Sequence, residues 1–128
     1  MSLNYKNMYN YGTVISDENI NDNYRPYSKV LNQKIALTLM IDLKDGERVF
    51  FPYSHFHPTK LTKQKENYFT LNLTGGGLNL IIHLKNFGKD ELNEFSQALA
   101  KHELERIFEY QDDPMGVTEP IISKVEIY

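Results

Sequence analysis

The 128-residue sequence contains no cysteine and no tryptophan, only three arginines, and no long apolar run. Each lack excludes something. Without cysteine there is no disulfide staple, no thiol nucleophile and no thiolate-bound zinc. Arg25, Arg48 and Arg106 are the only guanidinium groups, which leaves little capacity for bidentate reading of bases or phosphates. The net charge of −3 points the same way, because dedicated nucleic-acid binders carry a basic excess. No nucleic-acid partner is therefore expected. The longest apolar stretch, Leu80–Leu84, is far short of the roughly 20 residues a membrane-spanning helix needs. Residues 1–10 are polar and tyrosine-rich, with no apolar segment of the kind a signal peptide carries. A cytoplasmic location is the expectation.

What is present reads as globular. The chain is 41% hydrophobic and 24% charged, and a domain of this size buries roughly two thirds of its unfolded surface, enough for a core without metal or disulfide. The abundance of Asn, Lys, Ile and Tyr matches the codon usage of AT-rich, commonly bacterial genomes. Two regions separate by composition. Residues 1–34 form an Asn- and Tyr-rich arm with few aliphatics, read as irregular apart from a short strand over Tyr11–Ile15, and residues 35–128 form a single α+β domain.

Within that domain two hairpins stand out. Ile35, Leu37, Leu39, Ile41 and Leu43 alternate, the period-2 mark of a strand with one buried face. Asp45-Gly46 follows and predicts a type I′ turn, which needs positive φ at both positions. The return strand carries Val49, Phe51 and Tyr53, so this hairpin spans 35–53, and Pro52 places it at a sheet edge. A second hairpin over 66–85 pairs Phe69, Leu71 and Leu73 with Leu78, Leu80, Ile82 and Leu84 through Gly75–Gly77. The glycines lead into a strand rather than a helix, which argues against a phosphate-cradling loop.

A helix is predicted over 89–110. Gly88 stands at its N-cap, Asp90 and Glu91 suit the positive end of its dipole, and Phe87 and Leu92 have the spacing of a hydrophobic staple. Leu92, Phe95, Ala98, Leu99 and His102 share one face of it. A terminal strand over 120–128 closes the chain. The expected fold is therefore an antiparallel sheet or roll of five to six strands against one long helix. Strands followed by an amphipathic helix resemble, in topology alone, the pleckstrin-homology-like roll, and that resemblance implies a partly open barrel as the alternative.

The most chemically suggestive stretch is Tyr53–Lys60. If the strand continues past Tyr53, His55 and His57 point the same way and could share a metal ion, the basis of a small metal-dependent hydrolase. No third ligand sits at a diagnostic spacing, and Pro58 suggests that the chain is leaving the sheet. Structural or surface histidines are the expectation, with no cofactor. Lys60, Lys63 and Lys65 form a basic run with no acid before Glu66. It is read as a loop able to attract an anion, a lipid headgroup or an acidic partner. Leu104, Ile107 and Phe108 lie off the main stripe of the predicted helix, so either the helix kinks near His102 or its second half has another apolar cover. The arm, the tail strand or a second subunit would supply that cover, and a homodimer through these three residues satisfies it with one self-complementary patch. Together these features predict a small non-enzymatic binding or protein-interaction module.

Overall fold

The computed structural model describes residues 24–32, 34–57 and 59–128. These contain eight strands and one helix. The strands are β1 (Tyr27–Lys29), β2 (Thr38–Asp42), β3 (Arg48–Pro52), β4 (Lys60–Lys65), β5 (Tyr68–Gly75), β6 (Leu78–Lys85), β7 (Leu104–Phe108) and β8 (Ile121–Ile127). The helix α1 (Lys89–Ala100) lies between β6 and β7. Two four-stranded sheets result, ordered β1-β7-β2-β3 and β4-β5-β6-β8. Every pair is antiparallel except β2 with β7. The α+β, mostly antiparallel character matches expectation; the division into two sheets and the count of eight strands do not. Two strands also follow the helix, whereas the pleckstrin-homology-like alternative rested on a helix that ends the pattern. The stretch Tyr11–Ile15 lies outside the described residues.

Both hairpins form, through different turn chemistry. At Gly76-Gly77 both φ angles are positive (56° and 83°), and Gly75 pairs with Leu78, the two-residue loop whose twist suits an antiparallel pair. The first turn is not of that type. Only Gly46 has positive φ (93°) there. The Gly46 amide donates to Leu43 O at 3.0 Å and the Leu43 amide to Glu47 O at 2.8 Å, which makes a three-residue loop with glycine in its left-handed last position. Asp45 stays at negative φ and accepts from the Glu47 amide at 2.9 Å. The alternating set also shortens: Leu39, Ile41 and Leu43 are buried, but Ile35 and Leu37 are exposed, because β2 begins only at Thr38. Pro52 does sit on an edge strand, β3.

The largest correction concerns the helix, which ends at Ala100 rather than residue 110. His102 adopts the left-handed conformation (φ 59°). The Glu103 amide then donates to Ala98 O at 2.8 Å and the His102 amide to Leu99 O at 3.2 Å, the paired bonds of a Schellman cap. Histidine holds the position glycine usually takes there, which is why the ending left no obvious trace. Residues 104–108 continue as β7, a central strand between β1 and β2. Leu104 and Ile107 are fully buried in the chain's own core and Phe108 is half-buried. The two apolar faces inferred for one long helix are in fact the inward side of a strand. Of the three side chains that suggested self-association, Leu104 and Ile107 are covered from within and Phe108 is covered in part.

A single core joins both sheets and the helix, with Leu39, Ile41 and Phe51 from one sheet, Leu71, Leu73, Leu80, Ile82 and Leu84 from the other, and Phe95 and Ala98 from α1. Each fully buried aliphatic of this kind contributes about 1.5–3 kcal/mol. The sheets are also tied by polar contacts beyond β7. Glu109, in a stretch rich in acids, is only 7% exposed. Its Oε1 accepts from the Lys44 amide at 2.8 Å and its Oε2 from the Val125 amide at 2.9 Å. An isolated bridge pairs Glu109 with Ile122 of β8. The described end of the N-terminal arm joins in: β1 pairs with β7, and the Tyr24 hydroxyl donates to Phe108 O while accepting from the Ile122 amide at 2.9 Å.

Candidate functional site

The histidine pair does not sit on a strand. Tyr53–His55 form a 3-10 turn directly after β3, so the alternation that would align His55 with His57 breaks at Tyr53. The turn is fastened to the tip of the second hairpin: the His57 amide donates to Thr74 O at 2.9 Å, and the His55 carbonyl lies where a Cβ on Gly75 would stand. Both imidazoles are exposed. Among the described residues no three His, Cys, Asp or Glu side chains gather closely enough to hold a metal ion. Tyr53 turns inward, its hydroxyl donating to Leu104 O at 2.6 Å. His102 stacks on its ring at 4.4 Å between centroids. The aromatic character of this stretch is thus spent on packing, and burial pushes the Tyr53 phenol up.

The basic run is a strand, not a loop. Lys60–Lys65 form β4, the edge of the second sheet, and charged side chains on an edge strand discourage pairing with other chains. Alternation divides the three lysines. Lys63 lies opposite Phe69 on the side facing the core and pairs with Glu66 at 3.4 Å. Lys60 lies opposite Asn72 and, past a bulge, Lys65 lies opposite Tyr68, both on the outer face.

Register extends that outer face across the sheet. Tyr68 is opposite Lys85 on β6, so Lys65, Tyr68 and Lys85 form one row. Thr62, Thr70, His83 and Lys124 form the next. Lys60, Asn72, Ile81 and Glu126 form a third. Four lysines therefore share a face with one strand acid, Glu126, in a chain whose net charge is −3. None of the hydrophobic runs marks this surface. It arises because the register turns Lys60 and Lys65 of β4, Lys85 of β6 and Lys124 of β8 to the side opposite Leu71, Leu73, Leu80, Ile82 and Leu84.

A polar chain crosses the middle of the face. The Tyr68 hydroxyl and His83 Nδ1 share a hydrogen bond of 2.5 Å, and their rings stack at 5.8 Å. His83 Nε2 lies 3.3 Å from Glu126 Oε2, out of line for a hydrogen bond and without another partner among the described residues. When the ring proton is on Nε2, Nδ1 is left to accept from the Tyr68 hydroxyl. Glu126 also receives the Tyr128 hydroxyl and the Lys124 ammonium at 3.0 Å. These two partners, Tyr128 first, hold its carboxyl down to about 2. His83 is out of phase with Leu80, Ile82 and Leu84, so alternation alone puts it on the other side of its strand. Alternation does not give its neighbours, since Glu126 lies 43 residues further along.

An apolar groove of about 320 Å³ separates α1 from β4, with Phe56, Leu61, Phe95, Leu99 and His102 along its walls. No helix among the described residues is long and apolar enough to cross a membrane. No family model matches the chain, and no curated protein or solved structure matches it either.

Proposed function

We propose that the protein is a small non-enzymatic binding module that engages an acidic partner protein through the outer face of the second sheet. One observation carries this reading: Lys60, Lys65, Lys85 and Lys124 stand on one face, with Glu126 the single strand acid and already neutralised by Lys124. Interspersed Thr62, Asn72 and Asn79 offer hydrogen-bonding side chains to an incoming polar surface. A local positive field on an acidic protein steers association with a complementary surface and sets orientation more than it sets affinity. His83 and Tyr68 serve this face as a fixed polar centre, since each is engaged by a neighbour.

The test uses poly-L-glutamate as an acidic probe. Binding is expected to weaken with added salt, because exposed charges are screened within about 10 Å at 0.1 M. It is expected to vanish when Lys60, Lys65, Lys85 and Lys124 are all changed to Glu. Reversing Lys29, Lys44, Lys89 and Lys101 instead changes net charge equally and leaves the face intact, so binding should survive better there. Equal loss in both variants would mean that net charge alone is being read, and the assignment of a face would fall.

A further inference from the structure

We infer that one corner of this face is a pocket for a phosphate group, carried by a phosphorylated side chain of the partner. The inference rests on reading the outer face of the second sheet as a docking surface, and it names the chemistry that the face selects. The corner is a cavity of about 380 Å³ between the row Lys65–Tyr68–Lys85 and the segment leading to β8. A water takes about 30 Å³ of liquid, so the space admits a phosphate together with part of the group that carries it.

Three features fit that ligand. Two lysines, Lys65 and Lys85, line the cavity from strands on either side of Tyr68. A phosphomonoester carries about −1.5 to −2 charges at neutral pH and can satisfy both. Lys85 is held in place, since its Nζ donates to Pro114 O at 3.1 Å; two of its three N–H donors stay available. The remaining wall is equally fixed. Asn86 donates to Val117 O at 2.8 Å and Glu119 O at 3.0 Å, tying the segment before β8 to the end of β6.

The third feature is a bulge. His83 pairs with Lys124 and Leu84 with Ile122, so Ser123 has no opposite residue. Bulges re-aim side chains, and Ser123 lines this cavity as a hydroxyl donor. Among the described residues Glu66 is the only acid on the wall, and Lys63 pairs with it from the other side of β4. Tyr68, whose hydroxyl is engaged with His83, lines the cavity between the two lysines.

The experiment is a ¹⁵N-resolved NMR titration of the full chain with inorganic phosphate, O-phosphoserine and serine, with ionic strength held constant by sodium chloride. Saturable shifts are expected at the amides of Lys65, Tyr68, Asn86 and Ser123 with both phosphates and not with serine. O-phosphoserine should bind more tightly than inorganic phosphate; equal or weaker binding would overturn the side-chain source. Lys85→Gln should weaken binding about tenfold, the size of one charge-assisted hydrogen bond, while Lys60→Gln, on the same face but outside the cavity, should leave it unchanged. Shifts that never saturate, or that persist in Lys85→Gln, would overturn the pocket. If that happens while poly-L-glutamate binding still depends on the four lysines, the pocket is wrong and the docking face stands. If phosphate saturates the pocket while poly-L-glutamate ignores those lysines, the docking face falls and with it the partner as the phosphate's source.

Discussion

Replacing Glu109 with Ala should be among the most destabilising changes available in the acidic stretch 103–113. The side chain is 7% exposed and accepts from two backbone amides, Lys44 after β2 and Val125 within β8. It therefore links the turn of the first hairpin to the last strand of the other sheet. Truncation leaves both amides without that acceptor, and an unsatisfied buried donor costs about 1–3 kcal/mol. These amides are only part-buried, so water recovers some of the loss, and the low end of the combined range of about 2–6 kcal/mol, about 2–3 kcal/mol, is the expected effect. For a chain of this length that corresponds to a fall in Tm of about 8–12 °C, at roughly 4 °C per kcal/mol. Urea denaturation followed by far-UV circular dichroism measures it, with the slope m checked for constancy. Glu105→Ala, which removes no such contact, serves as the control and should stay within about 0.5 kcal/mol. A Glu109→Ala midpoint equal to that of Glu105→Ala would refute the bridging role and return the residue to the solvated face its neighbours suggest.

Two further outcomes follow from the same contacts. Gly75→Ala should cost about 1–3 kcal/mol in the same denaturation assay, because its Cβ would collide with the backbone of His55, which a rotamer change cannot relieve; an unchanged midpoint would mean that the 3-10 turn is not seated on the hairpin tip. Tyr53→Phe should lower stability by about 1 kcal/mol at neutral pH, through loss of the bond to Leu104 O, and should also flatten the alkaline limb of the stability profile. The sign follows from burial: the folded phenol titrates above its ordinary value of 10, so its stabilising share is complete below pH 10 and is lost as pH rises beyond it. Tyr24 and Tyr27, both raised first of all by burial, keep part of that alkaline sensitivity in the variant. A wild-type profile that is flat above pH 10 would contradict all three.

Local physics made much of the chain legible. The second hairpin could be read whole, because Leu71, Leu73, Leu80, Ile82 and Leu84 alternate without interruption and a glycine pair supplies the only backbone its turn accepts. The start of α1 was equally plain from Gly88, Asp90, Glu91 and the Phe87–Leu92 spacing. Each of these signals acts over a few residues, so neighbouring sequence is enough to set it.

Other features belong to the tertiary structure alone. Leu104–Phe108 are rich in residues that favour helices, yet they form a central strand. Pairing with β1 and β2 and complete burial of Leu104 and Ile107 outweigh a propensity worth tenths of a kcal/mol per residue. Lys60–Lys65 looked like a loop because their alternation runs through polar residues, and only the ladder with β5 makes them an edge strand. The lysine face is the clearest case. Lys60, Lys65, Lys85 and Lys124 are spread over 65 positions of sequence, and nothing local relates them. Their grouping depends on register and on the bulge at Ser123, which shifts the phase of β8 so that Lys124 stands beside His83 while Ile122 stays in the core. A one-residue slip would turn those side chains to the opposite face. The sequence by itself therefore determined which segments could pair and where the chain turns, and the packing of one sheet against the other decided which side chains meet.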